Sequence, residues 1–144
     1  MRAKVRIRRS MKTRALIAAL ALAGSAFGAW AADMLGEPTI SAEKGGASQT
    51  TFAPDTAELF LHVDLTGVAS GSTLTCTWIA EDTHGAAPAN FKIAATDIKV
   101  GSIDNVGDCS FSKPNAGWPV GTYRVDLAVN GQTVKNAKFS VARQ

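Results

Sequence analysis

Residues 117–141 read GWPVGTYRVDLAVNGQTVKNAKFSV. Tyr123, Val125, Leu127 and Val129 fall on every second position, with Arg124, Asp126 and Ala128 between them. That period marks a strand with one face in a core and the other toward water. Asn130 and Gly131 follow at once, and this dipeptide is the strongest local signal for a two-residue hairpin turn. The returning run poses a register problem. A strict two-residue turn pairs Leu127 with Val134 and Val125 with Asn136, which sends Asn136 and Lys138 to the core and Ala137, Phe139 and Val141 to solvent. A three-residue turn or one bulge after Val134 restores the phase, so an irregularity is expected between Asn130 and Ala137. Ahead of the first strand, Gly117 and Gly121 permit tight turns and Pro119 fixes φ. Trp118 is placed to fold its ring over the end of the core. This lead-in turn reads as support for the core rather than for chemistry.

The same alternation recurs upstream. ELFLHVDLT, from Glu58, puts Leu59, Leu61, Val63 and Leu65 on one face, with Phe60, His62, Asp64 and Thr66 on the other. TLTCTWIAE puts Leu74, Cys76, Trp78 and Ala80 together, opposite Thr73, Thr75 and Thr77. The short GVASGS connection makes these two runs expected neighbours in one sheet. EDTHGAAPAN is a loop by composition. NFKIAATDIKV alternates in two phases, Phe91 and Ile93 in one, Ile98 and Val100 in the other. An edge strand or a bulge near Ala94–Asp97 reconciles them. Cys109 and Phe111 share a face in DCSFSKP. About seven strands with separate turn signals predict an all-β, two-sheet antiparallel sandwich.

The first 31 residues stand apart. MRAKVRIRRSMKTR is basic and free of acids, and ALIAALALAGSAFGAWA is apolar and small. This is the order of a secretory signal, with Ala29 and Ala31 placing the cut before Ala32. MKTRALIAALALAG from Met11 is a complete leader as well, and Arg8-Arg9 is a weak twin-arginine feature. The apolar run from Ala15 to Ala23 is too short to span a bilayer. The expected organisation is a signal peptide over 1–31, a partly flexible N-terminal segment over 32–50 and one β domain over 51–144, located in the periplasm or secreted. The whole chain carries +3, but the leader holds seven of the fifteen Lys and Arg and none of the twelve acids. Residues 32–144 therefore carry eight bases against twelve acids, a charge of −4. No basic patch remains for a nucleic-acid backbone, and no membrane anchor is expected after cleavage.

Cys76 and Cys109 are the two cysteines. In an exported chain an isolated pair reads as a disulfide. Closing its loop contributes about 3–4 kcal/mol by chain entropy. The faces shared with Leu74, Trp78 and Phe111 make the bridge buried, between non-adjacent parts of the sandwich, with Cα atoms expected about 5–6 Å apart.

PDTAELFLHVDLTG…GSTLTCTWIAE and the 117–141 ending resemble immunoglobulin-like domains of small bacterial secreted or periplasmic proteins. The match covers residues 52–82 and 111–141. It is carried by Trp78 at the end of a strand, by Gly117, Trp118, Pro119, Gly121 and Tyr123 in the turn and strand, by Gly131 in the hairpin and by Phe139 and Val141 at the close. True antibody-type domains place a Trp between their cysteines at longer range, and this chain departs from that pattern, because Trp78 follows Cys76 on the same strand. The resemblance implies a sandwich fold and an extracytoplasmic binding or accessory role, and it implies no catalytic residue.

The residues point the same way. No nucleophile elbow, zinc-protease helix motif or phosphate loop occurs, so the chain is not expected to be an enzyme and no cofactor is expected. Glu81, Asp82 and His84 form the best polar cluster, a candidate contact loop in which carboxylates beside an imidazole are also the residue types for a metal or a base. Asp104, Asn105 and Asp108 are a second acidic loop without the spacing of a calcium loop. Phe60 and His62 are a candidate contact patch on an outer face. The reading is an exported, non-catalytic interaction module whose partner is another extracytoplasmic protein. The alternatives are a small inhibitor of a hydrolase such as lysozyme, through acidic loops against a basic target, and a metal-binding periplasmic protein using His62 or His84.

Overall fold

The computed structural model describes residues 35–144. The leader, its cleavage site and the alternative start lie outside the described residues. Eight strands follow in order: β1 (Thr39–Ser41), β2 (Thr51–Phe52), β3 (Glu58–Asp64), β4 (Thr73–Asp82), β5 (Phe91–Lys99), β6 (Val106–Ser112), β7 (Gly121–Val129) and β8 (Gln132–Val141). They form two sheets, one of three strands in the order β1-β3-β6 and one of five in the order β2-β8-β7-β4-β5. All pairings are antiparallel except β2 with β8. Among the described residues no helix is long and apolar enough to cross a membrane.

The inward rows are those the alternation marks. Leu59, Leu61 and Val63 of β3, Leu74, Cys76, Trp78 and Ala80 of β4, and Tyr123, Val125 and Leu127 of β7 are all buried. Each fully buried Leu or Val contributes about 1.5–3 kcal/mol relative to exposure. One expectation fails. β3 and β4 are not neighbours: β3 pairs with β1 and β6, and β4 with β5 and β7, so the two runs belong to opposite sheets. Their apolar faces meet through the core instead of lying side by side.

The hairpin resolves its phase through a bulge. Asn130 and Gly131 have φ of 51° and 84°, the two positive values of a tight two-residue turn. Val129 pairs with Gln132 and Ala128 with Thr133, but Leu127 pairs with Lys135, leaving Val134 as the extra residue. Val134 and, beyond it, Ala137, Phe139 and Val141 all pack on the core. β5 has its irregularity at Ile93, one residue ahead of the expected stretch, since Trp78 pairs with Ala94 and Ile79 with Lys92. β5 is also the last strand of its sheet.

Cys76 and Cys109 form the disulfide. It ties β4 to β6 across the two sheets, and its Cα atoms are 6.6 Å apart. The span is longer than the expected 5–6 Å and stays within the roughly 4.4–6.8 Å usual for disulfides. On the opposite side of the core, β1 holds Ile40 inside and pairs with β3 through Thr39–His62, Ile40–Leu61 and Ser41–Phe60.

Six aromatic side chains, Phe52, Trp78, Phe111, Trp118, Tyr123 and Phe139, gather into one cluster. Tyr123 stacks on Phe139 with centroids 5.1 Å apart. Trp118 meets Phe111, Tyr123 and Phe139 edge to face, and Trp78 lies 6.0 Å from Phe111 and 6.1 Å from Phe139. Such pairs add about 0.5–1.5 kcal/mol beyond area burial. The Trp78 indole N–H is buried among these rings with no hydrogen-bond partner among the described residues.

Candidate functional site

The 83–90 loop joins β4 to β5 and is closed at its base by the Asn90 amide donating to the Glu81 carbonyl at 3.0 Å. His84, Gly85 and Asn90 take positive φ within it. The side chains of the polar cluster go separate ways. The Glu81 carboxylate lies on the outer face of the five-stranded sheet, 3.3 Å from the Arg124 guanidinium and 3.9 Å from the Lys138 ammonium. Arg124 also donates to Asp126 at 3.0 Å and to Asn90 at 2.9 Å. The Asp82 carboxylate accepts the His84 amide at 2.9 Å, a local turn bond. His84 is exposed at the loop tip. Glu81 and Asp82 are the last residues of β4 and only His84 lies in the loop, so the three are neighbours in sequence but not one site, and two of the charges are already engaged within the domain.

The residues of the second acidic stretch are likewise engaged within the domain. The Asp104 carboxylate accepts the Gly101 amide at 2.8 Å, and the Asn105 carbonyl accepts the Leu65 amide at 2.8 Å. Asp108 pairs with His62 at 2.8 Å on the outer face of the three-stranded sheet, both side chains about half exposed. Phe60 lies on that same face, half-buried, between Ser41 and Ser110 in the register. Among the described residues no three His, Cys, Asp or Glu side chains converge as a metal would need.

What the alternation does not reveal is a concavity beside the 83–90 loop. Thr83 and Ala87 form one wall, Phe91 and Ile93 of β5 a second, and Trp118 and Tyr123 the floor, around a cavity of about 230 Å³. Each wall is fixed. The Thr83 hydroxyl accepts the Ala87 amide at 2.9 Å. The Trp118 indole donates to the Thr56 carbonyl at 3.0 Å, and its amide donates to the Pro54 carbonyl at 2.9 Å. The Tyr123 hydroxyl donates to the Pro119 carbonyl, and burial pushes its pKa up to about 12. Phe91, by contrast, is 47% exposed. The space exists because Ala80, opposite Phe91 in the register, and Ala87 are too small to fill it. Small residues facing aromatics across a hairpin are the sequence signal, and it becomes readable only once the pairing is known.

No protein-family model matches this chain, and no curated protein matches it either. A solved immunoglobulin-like protein from Pseudomonas aeruginosa is similar in structure, with a TM-score of 0.52 at 13% identity, over 74% of this chain and 93% of that one. The fold is immunoglobulin-like. Two further structures overlap at lower scores. One is the alkylpurine DNA glycosylase AlkC of Pseudomonas fluorescens, with a TM-score of 0.43 and 15% identity over 76% of this chain and 30% of that one. The other is a β-D-glucoside glucohydrolase of Trichoderma reesei, with a TM-score of 0.38 and 10% identity over 75% of this chain and 18% of that one. Within the immunoglobulin-like frame, the Tyr123 bond to the Pro119 carbonyl is a tyrosine corner. Val125, two residues on, occupies the place where antibody domains put their second cysteine, and the bridge runs from β4 to β6 instead.

Proposed function

We propose that the chain is an exported, non-catalytic interaction module that binds an apolar side chain of an extracytoplasmic protein in the cleft between the 83–90 loop and the 114–119 turn. The observation that carries this reading is the cleft itself: open to solvent, lined by aromatic and small apolar groups, and rigid on the Trp118 side. At about 230 Å³ it falls below the roughly 300–1,000 Å³ of small-molecule sites, and it suits one large side chain of a protein. Aromatic groups in a desolvated pocket are the usual centres of binding energy at protein interfaces. The loop that bears His84 supplies Thr83 and Ala87 to the wall of this site, while Glu81 stays on the outer face with Arg124 and Lys138.

Affinity isolation from an extracytoplasmic extract tests the reading, using the wild-type protein beside Ala87→Trp, which fills the cleft. A partner retained by the wild type and lost by the filled variant supports it. Equal retention by both removes the cleft as the contact site. N-terminal sequencing of the exported protein checks the compartment, with Ala32 expected as the first residue.

A further inference from the structure

The two flanks of the sandwich are built differently. On one, the N-terminal strands lace the sheets: β1 pairs with β3, β2 pairs with β8, and Glu37 lies 3.4 Å from Lys135. On the other, β5 ends the five-stranded sheet and β6 ends the three-stranded sheet. Thr96 makes the consequence visible. It is paired with fully buried Cys76 on the core side, yet is itself exposed. The five-stranded sheet therefore overhangs its partner along β5.

The exposed large hydrophobic residues among those described are Phe91, Ile103 and Val106, and all three belong to β5, β6 or their connection. Lys92 and Lys99 sit near the two ends of β5, and neither has a carboxylate within ion-pair distance among the described residues. Asp97, between them in sequence, accepts the Thr75 hydroxyl at 2.7 Å. The register puts Lys92 opposite Ile79 and Lys99 opposite Thr73, on the outer row, and Phe91 opposite Ala80, on the inner row. Lysines and bulges guard sheet edges against indiscriminate pairing, and Lys92 with the bulge at Ile93 does so at the start of β5. The stretch 94–99 is regular in its pairing with β4 and, among the described residues, no strand pairs on its far side.

We propose that β5 accepts an extended segment of an acidic partner protein as an added strand, with an apolar side chain seated beside Phe91 and carboxylates against Lys92 and Lys99. This rests on reading the cleft as a contact site and extends it to the strand beside it. Strand addition gives affinity through main-chain hydrogen bonds and specificity through pockets for alternate side chains. The outer row then calls for acids and the inner row for apolar residues, a period-two pattern along the segment.

The test uses a synthetic peptide of about ten residues, long enough to run the length of β5, alternating glutamate with valine and phenylalanine. A peptide of the same composition with its glutamates grouped is the control. Amide exchange and chemical shifts are followed on the isotope-labelled exported protein. The expected result is slowed exchange at alternate amides within 94–99 together with shifts at Phe91 and Trp118. The double variant Lys92→Glu, Lys99→Glu is expected to weaken binding by about tenfold or more. Shifts at Phe91 and Trp118 with unchanged exchange in β5 overturn strand addition and leave the cleft reading standing. Slowed exchange in β5 that survives Ala87→Trp upholds strand addition and removes the cleft as its anchor. Slowed exchange of β5 without peptide, with a doubled mass in sedimentation, overturns the proposal in favour of pairing between two copies. No response at millimolar peptide overturns it as well.

Discussion

Gly121 opens β7 at a point where a side chain has no room. A Cβ built there would lie 2.0 Å from the Asp82 carbonyl oxygen and 2.9 Å from the Thr83 Cα, with φ at 156°. Both neighbours are backbone and do not swing aside. Gly121→Ala is expected to part the ends of β4 and β7 and to cost about 2–3 kcal/mol, read as a lower urea midpoint. An unchanged midpoint would show that these ends separate freely. Tyr123, two residues on, is the one tyrosine of the chain, so the phenolate absorbance reports it alone. Its pKa is raised from 10.0 to about 12 by burial. The folded state thus keeps a proton that the unfolded state releases between these values. Stability from this group is complete below pH 10 and declines as pH rises toward 12. Tyr123→Phe is expected to flatten that decline, and to cost about 1 kcal/mol at neutral pH through the lost bond to the Pro119 carbonyl.

Among the elements, the disulfide and the closing hairpin divide the work of holding the chain. The bridge closes a loop of sequence separation 33 that contains the 83–90 loop and β5. The β7–β8 hairpin lies outside that loop and pairs locally, from Gly121–Val141 to Val129–Gln132. Reduction is expected to speed amide exchange in 81–108 before it does so in the hairpin. The paired variant Cys76→Ala, Cys109→Ala is expected to lose about 3–4 kcal/mol in denaturant unfolding. Equal loss of protection in both segments would mean that β4, shared by β5 and β7, transmits the disturbance at once. The bulge at Val134 shows how an element yields to the core. Val134 and Ala137 are three positions apart and pack on the same core, which an unbroken strand does not allow.

For the whole molecule, asymmetry between the two flanks is the feature with functional weight. One flank is sealed by β1 and β2, and the other presents Phe91, Ile103 and Val106 to solvent. Phe91→Ser is expected to change folding stability by less than about 1 kcal/mol, because the side chain is 47% exposed on an edge strand. The same substitution is expected to abolish partner retention in the affinity isolation. A Phe91→Ser protein that unfolds readily would instead give the ring a structural role in holding the 83–90 loop.

Much of the fold was legible in the linear chain, because alternation reports which face of a strand meets the core wherever the strand pairs. Leu59, Leu61, Val63, Leu74, Cys76, Trp78, Val125 and Leu127 are buried for that reason. The phase conflict between Val134 and Phe139 likewise required an irregularity, a longer turn or a bulge, from chain geometry alone, and two cysteines left one possible bridge. Sheet membership was not legible: β3 and β4 have the same alternation and a short connection, and period two does not say whether such strands pair or face each other across the core. The fate of Glu81 depended on Arg124, 43 positions away, and the cleft on Ala80 coming opposite Phe91. Contacts of that kind arise from long-range pairing and from volume left unfilled between side chains, and neither quantity is a property of any local stretch of residues.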